Sequence, residues 1–413
     1  MSRLITKSQP ACQEGAVLLR SFEICGFRAF KHLVVPQLGR VNLIVGRNNV
    51  GKTMFLEALR LYALSGNVRA IRNLLLERDE ILIEPTQPDE DPGEFQLRIA
   101  SLFHRSAVDP TGPFITSEEI RLGEVGEDPA VLQITPKLLR RVRHDNAVAS
   151  YRYETIENTL GSASESNLIP GLEVSYAGTR RLIPFSVMSA SRSRQSFRPE
   201  ERAEPAFVPA RGVSDRELAR WWDVAAIRNS EERVLDCLRL ISPVERITFV
   251  EHPYLRAERV PIVRMHYGIQ PVSLKSLGDG MSRMFQIALA IERSRVGRYE
   301  RLDIDAHLFS DHEENLPVQT PLLLIDEIEN GIHYTVHAKL WEMILHLASQ
   351  YNIQVVATTH SWDCICGLKE AVSKVVDTNA MLIRLEKKNG KDKAVIFQSR
   401  ELDIIARDEI EVR

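Results

Sequence analysis

The chain has little cysteine, no long apolar run and no large excess of one charge. Its five cysteines among 413 residues are too few and too scattered for a disulfide framework, so we expect a reducing, cytoplasmic location. No apolar run reaches the roughly 18 residues of a membrane span, and the polar residues 1–17 lack the apolar core of a signal peptide, so we expect no membrane partner. The formal net charge of −3 excludes a chain-wide basic surface for nucleic acid.

A glycine-rich segment stands between an apolar run and a helical pattern. Residues 46–53 read GRNNVGKT, after the apolar run 41–45 and before the helix-like stretch 54–64. Two glycines let the backbone wrap a triphosphate, and the following helix directs backbone N–H groups at it. The lysine neutralises phosphate charge, and the threonine hydroxyl can bind Mg²⁺. The segment is therefore a P-loop, and the predicted nucleotide-binding residues are Asn42, Gly46, Asn48, Asn49, Val50, Gly51, Lys52 and Thr53.

A second apolar strand, residues 321–325, ends in the carboxylates Asp326 and Glu327. Such a string alone is more often a core strand followed by a solvated acidic pair. A P-loop in the same chain favours a catalytic interpretation. We predict that Asp326 binds Mg²⁺ together with Thr53, directly or through water, and that Glu327 polarises the attacking water.

A histidine follows a third apolar strand, residues 354–358. The imidazole of His360 should therefore emerge at the sheet edge where phosphates bind. A lone histidine is more often structural, but this position favours a catalytic role as a sensor of the γ-phosphate.

The segment SLGDGM, residues 276–281, opens a helical pattern. Alone it is a glycine-rich helix cap. Beside the other three motifs it predicts a second helix N-terminus facing phosphate, which closes the nucleotide from the opposite side. The residues predicted to face phosphate in this segment, called the signature below, are Ser276, Gly278, Asp279 and Gly280.

The alternation of apolar runs and helical patterns predicts an α/β fold, with a mixed or parallel sheet flanked by helices. We predict a flexible N-terminus at 1–17, an N-terminal ATPase lobe at 18–108, an inserted variable lobe at 109–215 and a C-terminal ATPase lobe at 216–413. Further predictions are strands at 18–24, 33–35 and 247–250, a strand pair of 95–103 with 119–122, helical regions at 217–240, 278–293 and 332–349, and a polar linker at 295–319.

The order P-loop, signature, LLLIDE and strand-end histidine resembles ABC-type ATPases of the SMC/RecF/OLD group. The likeness is strongest to single-chain AAA15-type ATPases, which are OLD-like without the TOPRIM nuclease. GFRAF at 26–30 is similar to that group's N-F-R-x-F segment, and IDEIENGIH at 325–333 is similar to its Walker B motif and D-loop. Residues 109–211 lie outside the resemblance.

This resemblance implies a two-lobed ATPase head that uses ATP and Mg²⁺. It also implies a homodimer or higher oligomer, in which the signature of one chain completes the nucleotide site of another. The implied task is nucleic-acid sensing, DNA repair or anti-phage defence, with DNA or RNA as a partner and a separate effector protein.

The chain departs from the family pattern in three places. The usual signature is L-S-G-G-Q/E, whereas here Asp279 stands at the second glycine and Leu277 where the serine would be, with Ser276 as its substitute. For the Q-loop glutamine there are only the weak candidates Gln96 and His104. The chain ends at Arg413, 53 residues after His360, so we expect no TOPRIM nuclease.

These departures keep a second hypothesis open, a slow-turnover ATP-dependent scaffold that sequesters or presents an effector without acting on nucleic acid. A P-loop kinase or GTPase is disfavoured, because the acidic pair and strand-end histidine suit ATP hydrolysis and no N-K-x-D segment specifies guanine.

Weaker clusters have ordinary structural explanations. Glu329, His333 and His337 have a spacing that could bind metal, as do His360, Cys364 and Cys366, but we predict no zinc at either. Several arginines could bind DNA, although interleaved glutamates favour a solvated lobe of mixed charge. These arginines are Arg140, Arg141, Arg143, Arg180, Arg181, Arg192, Arg194 and Arg198.

Overall fold

The structure is a computed structural model. It describes residues 19–82, 96–104, 119–126, 130–143, 151–155, 168–189, 205–252, 254, 258–268, 270–295, 321–375, 379–399 and 401–402. The predicted N-terminal segment 1–17, nearly all of the predicted linker, and Arg192, Arg194 and Arg198 lie outside these residues.

Eight helices and eighteen strands are assigned within the described residues. The helices are α1 (Lys52–Ala63), α2 (Val68–Leu76), α3 (Phe185–Ser189), α4 (Asp215–Ile227), α5 (Glu231–Leu238), α6 (Asp279–Arg295), α7 (His337–Gln350) and α8 (Trp362–Lys374). The strands are β1 (Phe22–Phe27), β2 (Phe30–Val35), β3 (Val41–Val45), β4 (Ile81–Leu82), β5 (Gln96–Leu97), β6 (Ile120–Gly123), β7 (Leu132–Arg143), β8 (Tyr151–Thr155), β9 (Leu168–Tyr176), β10 (Thr179–Pro184), β11 (Ala206–Val208), β12 (Val244–Glu251), β13 (Arg259–Met265), β14 (Val272–Ser273), β15 (Leu322–Ile325), β16 (Gln354–Thr358), β17 (Ala380–Lys388) and β18 (Lys391–Gln398).

A six-stranded mixed sheet contains the strands that precede three of the predicted motifs. Its order is β11-β15-β16-β3-β17-β18, with the first five strands parallel and β18 antiparallel to β17. The strands are apolar runs because both faces are covered, as is usual for parallel sheets. Leu323 and Ile325 pack in the core formed with α4 to α8, whereas Leu324 points into the core formed with α1.

A seven-stranded antiparallel sheet covers the other side of α1. Its order is β10-β9-β7-β6-β1-β2, with β8 paired to β7. Phe55, Leu56 and Leu59 of α1 share one buried cluster with Phe22 of this sheet and Leu324 of the parallel sheet. The P-loop helix is thus held between the two sheets. Small antiparallel sheets are formed by β12-β13-β14 and by β4-β5.

The α/β class and the parallel order of β15, β16 and β3 confirm the predictions made from the apolar runs. The predicted pairing of 95–103 with 119–122 is wrong. β5 pairs with β4, residues Ile99–Leu102 form a 3₁₀ turn, and β6 pairs with β1 and β7. Alternating apolar residues identified β6 as a strand, but its partners are set by tertiary packing.

Other helix boundaries also differ from the prediction. The helical region 217–240 is two helices, α4 and α5, separated where Asn229 has φ 51°. The helix predicted at 332–349 begins as a 3₁₀ turn, Tyr334–Val336, before α7. Helix α2 was not predicted; Asn67 caps it by accepting a hydrogen bond from the backbone N–H of Ala70 at 2.7 Å.

Strands β6 to β10 belong to the same sheet as β1 and β2, so much of the segment assigned to an inserted lobe is continuous with the N-terminal region. The boundaries at 108/109 and 215/216 remain predictions. None of the helices within the described residues combines the length and apolar character that a membrane crossing requires.

Candidate nucleotide site

The P-loop follows β3 and turns tightly into α1. Gly46 has φ 142° and Gly51 has φ 108°, values that side chains rarely permit. A Cβ atom on Gly51 would lie 2.6 Å from Cζ of Phe30, and one on Gly46 would collide with the carbonyl oxygen of Leu385. Glycine is therefore required at both positions by conformation and by close packing.

A cavity of about 980 Å³ lies over the P-loop. It is lined by the P-loop and by residues that follow β15 and β16, since the carboxyl ends of parallel strands meet at one sheet edge. The lining residues are Val45, Gly46, Arg47, Asn48, Asn49, Gly51, Lys52, Thr53, Met54, Arg78, Glu327, Glu329, Asn330, Thr359, His360 and Ile365.

Lys52 is buried and its ammonium is enclosed by polar atoms. Nζ donates to the carbonyl oxygens of Gly46 at 2.6 Å and Arg47 at 3.2 Å, and lies 3.2 Å from Nδ1 of His360. Burial lowers the pKa of Lys52, while the nearby carboxylates of Asp326 and Glu327 act in the opposite direction. A phosphate group entering the loop would bring further negative charge to this buried ammonium and favour its charged form.

Thr53 and Asp326, the two residues predicted to bind Mg²⁺, lie together. The Thr53 hydroxyl donates to the Asp326 carboxylate, with Oγ1 3.0 Å from Oδ2, and the Thr358 hydroxyl donates to Oδ1 at 2.6 Å. Mg²⁺ prefers oxygen ligands and uses one or two protein groups beside substrate phosphates. This carboxylate and hydroxyl, with Thr53 in the lining of the cavity, fit a Mg²⁺ ion.

Glu327 has a backbone conformation uncommon for a residue with a side chain, with φ 49°. Its N–H donates to Oγ1 of Thr358 at 2.8 Å, and its side chain, 40% exposed, faces the cavity. Its Oε1 lies 3.6 Å from Nε2 of His360. The backbone N–H of His360 donates to Oε1 of Glu329 at 2.7 Å. The left-handed turn thus presents Glu327 beside the histidine.

Arg283 of α6 is a residue of this site that the sequence analysis missed. Its buried guanidinium donates to the carbonyl oxygens of Asp326, of Glu327 at 3.0 Å and of Pro209 at 2.7 Å. Burial lowers the pKa of Arg283 to about 10, against the opposing effect of the nearby carboxylates. The helix that follows the signature is thereby tied to the strand end that carries Glu327. An arginine in a helical pattern offered no signal of this contact.

Arg78, just beyond α2, also lines the cavity and was not predicted. Its Nε donates to Oε1 of Glu57 at 2.6 Å, and Oε2 of Glu57 lies 2.8 Å from Nε of Arg28 in the β1–β2 turn. The buried Glu57 carboxylate therefore holds two cations, one of them at the edge of the cavity.

Asn42 does not fit its predicted role. It is fully buried near the start of β3, at the opposite end of the strand from the P-loop. Its amide donates to the carbonyl oxygens of Gly39 at 2.8 Å and Val355 at 3.2 Å, and its Oδ1 accepts from the Gly39 N–H at 2.7 Å. We correct the prediction, because these polar atoms serve the backbone. Val50 likewise has its side chain in the core, which leaves only its backbone for a ligand.

The signature segment lies outside the cavity lining of its own chain. Ser276, Gly278 and Asp279 are exposed, and Gly280 is half-buried. Gly278 has φ 93° with open space around its Cα, whereas a Cβ on Gly280 would lie 2.7 Å from the carbonyl oxygen of Gly331. The segment thus packs on the turn after Glu327 and presents a polar outer surface.

The remaining candidates have local partners. Nδ1 of His333 lies 2.9 Å from Oγ1 of Thr335, and Nε2 of the buried His337 lies 3.2 Å from the carbonyl oxygen of Ile332. Burial raises the pKa of the Cys364 thiol to about 12. Nδ1 of His104 lies 2.8 Å from the carbonyl oxygen of Arg28, and the side chain of Gln96 lies outside the described residues.

The arginine cluster is partly paired. Arg140 lies 3.6 Å from Glu154 and Arg180 lies 2.6 Å from Glu173. These contacts are those of a mixed-charge surface, and exposed pairs of this kind contribute little stability.

Two family models match the sequence. One, described as "AAA domain", matches residues 21–135, and the other, described as "AAA domain, putative AbiEii toxin, Type IV TA system", matches residues 266–363. The first range contains the P-loop; the second contains the signature, Asp326, Glu327 and His360. Both segments that form the site are therefore similar in sequence to AAA domains.

A protein named ATP/GTP phosphatase from Helicobacter pylori (strain ATCC 700392 / 26695) is 22% identical over 373 residues, which are 86% of this chain and 88% of that protein. Similar solved structures include an SMC head bound to the C-winged helix domain of ScpA, with TM-score 0.43, 12% identity, and coverage of 92% of this chain and 98% of that chain. The SMC head domain from Thermotoga maritima gives a TM-score of 0.39, 11% identity, and coverage of 92% and 99% respectively.

Proposed function

We propose that this protein is an ABC-type ATPase that hydrolyses Mg²⁺-bound ATP in this cavity and works as a nucleotide-gated dimer or higher oligomer. The observation that carries the proposal is that Lys52, Thr53, Glu327 and His360 line one cavity, with the buried Asp326 carboxylate hydrogen-bonded to Thr53. These residues come from three separate segments, and the family models match the same segments.

The chemistry follows from the positions of the side chains. Lys52 binds the β- and γ-phosphates, and the P-loop N–H groups hold the phosphate chain. Glu327 takes a proton from the attacking water, whose oxygen bonds to the γ-phosphorus as the bond to the β-phosphate oxygen breaks. ADP and phosphate leave. The imidazole of His360 lies between Lys52 and Glu327, where it would contact the γ-phosphate. Thr53 and Asp326 would hold Mg²⁺, which would supply further neutralisation of phosphate charge.

The oligomer follows from the exposed signature. Ser276, Gly278 and Asp279 stand outside the cavity of their own chain, where they are accessible to a nucleotide held by a second copy. ATP between the two copies would join them, and loss of the γ-phosphate would loosen the contact. The proposed task is nucleic-acid sensing, DNA repair or defence against phage, with a separate effector protein that is released or activated by this cycle.

A second function is favoured by one feature of the signature. Asp279 places an exposed carboxylate at the N-terminus of α6, where a phosphate of the second chain's nucleotide would approach. Like charges repel, so closure and turnover would be slowed. In that case the oligomer is a slow scaffold that holds or presents an effector.

The test is ATP turnover by the full chain, with and without double-stranded DNA, with light scattering to follow oligomer size and GTP as the competing nucleotide. The ATPase proposal expects Mg²⁺-dependent phosphate release and an ATP-dependent increase in mass. Assembly with ATP but turnover near the uncatalysed rate, unchanged by DNA, would establish the scaffold. Absence of ATP binding would overturn both.

A further inference from the structure

Three potential metal ligands lie together on the β1–β2 hairpin, and none lines the nucleotide cavity. They are Glu23 and Cys25 on β1 and His32 on β2. Within the part of the chain that the structure describes, this is the one group of three His, Cys, Asp or Glu side chains whose donor atoms are close enough to share an ion.

The strand pattern explains why the three side chains meet. Alternate residues of a strand share a face, so Glu23 and Cys25 project together while Phe22 and Ile24 are buried on the opposite face. Cys25 is the direct cross-strand partner of His32. Directly opposite side chains on antiparallel strands have Cβ atoms about 5 Å apart, which places a thiol and an imidazole within reach of one ion.

The donor atoms are already near the required geometry. Nε2 of His32 lies 2.6 Å from Oε1 of Glu23, and Sγ of Cys25 lies 4.0 Å from the same oxygen. All three donor atoms lie within 4.8 Å of one another. Bond lengths of about 2.0 to 2.3 Å around a tetrahedral ion require only small side-chain rotations from these positions.

We propose that Glu23, Cys25 and His32 bind a divalent transition metal ion, with Zn²⁺ the ion that suits one thiolate, one imidazole and one carboxylate. Three protein ligands leave the fourth position to water or to a further group. Glu119, whose charge acts on the Cys25 thiol, is a candidate for that group. Its Oε1 is buried and accepts no hydrogen bond within the described residues, although it lies 3.9 Å from Nε of Arg121.

The surroundings set the conditions for binding. Burial raises the pKa of the Cys25 thiol, with Glu23 and Glu119 adding to the rise and Arg121 opposing it. A bound cation must therefore displace the thiol proton, and its affinity increases with pH. The ion would join β1 directly to β2. Phe30 of the same hairpin packs against Gly51, so the joined strands support the P-loop.

Cobalt(II) added to the full chain without nucleotide tests the proposal, with Mg²⁺ in excess to fill oxygen sites. A cobalt ion bound by a thiolate gives a sulfur-to-metal charge-transfer band. No cysteine is among the described residues that line the nucleotide cavity, so that site cannot supply the thiolate for this band. We expect one band-forming ion per chain, displaced by an equivalent of Zn²⁺.

Single substitutions test the contribution of each proposed ligand to metal binding. Cys25→Ser should remove the band. His32→Gln, at a side chain 56% exposed, should fold and weaken Zn²⁺ binding by at least about 100-fold, since even second-layer partners cost 10 to 100-fold. Glu23→Gln should act in the same direction. Cys366→Ser and Cys12→Ser are the matched controls and should keep the band.

Two results would overturn the site. One is the absence of a charge-transfer band in the wild-type chain, which would leave His32 and Glu23 as an ordinary cross-strand hydrogen bond. The other is a band that persists in Cys25→Ser. A Zn²⁺-induced rise in Tm for the wild type that is absent in His32→Gln would support the site independently of the band.

Discussion

The two large sheets use their strand ends in different ways. In the six-stranded sheet, β3, β15 and β16 run parallel, and their carboxyl ends deliver Lys52, Glu327 and His360 to one cavity. In the seven-stranded sheet, neighbouring strands run in opposite directions, so consecutive strand ends fall at opposite edges. Its inner face packs on α1 instead.

The six-stranded sheet therefore carries the residues of the nucleotide site, and the seven-stranded sheet stabilises the helix that follows the P-loop. A parallel sheet gathers residues that are distant in sequence at one edge, whereas an antiparallel sheet distributes them. In this protein we expect changes at the parallel strand ends to alter nucleotide handling without much effect on stability. Changes in the antiparallel sheet should alter stability and leave the chemistry of each folded molecule intact.

The largest effect is expected from Lys52→Ala. The cavity loses the ammonium that neutralises phosphate charge, so ATP binding measured by calorimetry should be abolished. Lys137→Ala, an exposed lysine on β7 of the antiparallel sheet, is the matched control and should bind ATP as the wild type does. An affinity for Lys52→Ala within a few-fold of wild type would refute the P-loop assignment.

Glu327→Gln should bind ATP and stall. The substitution retains the size of the side chain and removes the base, which is worth about 10²- to 10⁴-fold in rate. Light scattering should show an ATP-trapped oligomer. Glu251→Gln, on the exposed end of β12, should retain wild-type turnover. If Glu327→Gln hydrolysed ATP at the wild-type rate, another group would have to activate the water.

Ser276→Arg tests whether the signature acts across an interface. The arginine should prevent the signature from completing the nucleotide site of a second chain and reduce turnover on the order of 10³-fold, by analogy with trans-acting arginine fingers, with ATP binding and dimer formation retained. Gly280→Arg is less suitable, because its Cβ would disturb Gly331 in the same chain. Ser373→Arg, at the far end of α8 and about 18 Å along that helix from His360, is the control.

Complementation sharpens that test. A mixture of Ser276→Arg and Lys52→Ala chains contains, in each heterodimer, one site with an intact P-loop and an intact signature. Activity should therefore return from two inactive proteins. Normal hydrolysis by Ser276→Arg alone would show that the signature does not act on the nucleotide of a second chain and is only a helix cap.

Leu172→Ala probes the antiparallel sheet. Leu172 of β9 is fully buried in the core that contains α1, and the cavity left by truncation should lower the free energy of unfolding by about 2 to 5 kcal/mol. Urea unfolding gives this value. The kcat of the remaining folded protein should be unchanged. A loss of kcat without a loss of stability would show that this sheet contributes to catalysis. Leu182→Ala, at a half-buried position of β10, should cost less.

Asn42→Ala has the smallest expected effect. The Gly39 N–H loses its acceptor, so the free energy of unfolding should fall by about 1 to 3 kcal/mol. ATP affinity should not change. The structure assigns Asn42 to hydrogen bonds with the backbone. A clear loss of ATP affinity with unchanged stability would instead support the nucleotide-binding role that was predicted for it.

Local patterns explain where prediction from the sequence succeeded. The P-loop depends on two glycines and a Lys-Thr pair within eight residues, and the parallel strands are short apolar runs with polar residues immediately after them. Such features depend little on the rest of the chain. Prediction failed for the 95–103 and 119–122 pair, because a strand pattern does not specify its neighbours.

By itself, the sequence determined the α/β class, the phosphate-binding loop and the order of its strand-end partners, since these depend on residue type and short spacing. Only the tertiary structure decided that Arg283 and Arg78 reach the site, that Asn42 does not, and that Cys25 faces His32. The physical reason is that strand pairing and burial join residues far apart in the chain, and a buried guanidinium or amide acquires its role from the carbonyl groups packed around it.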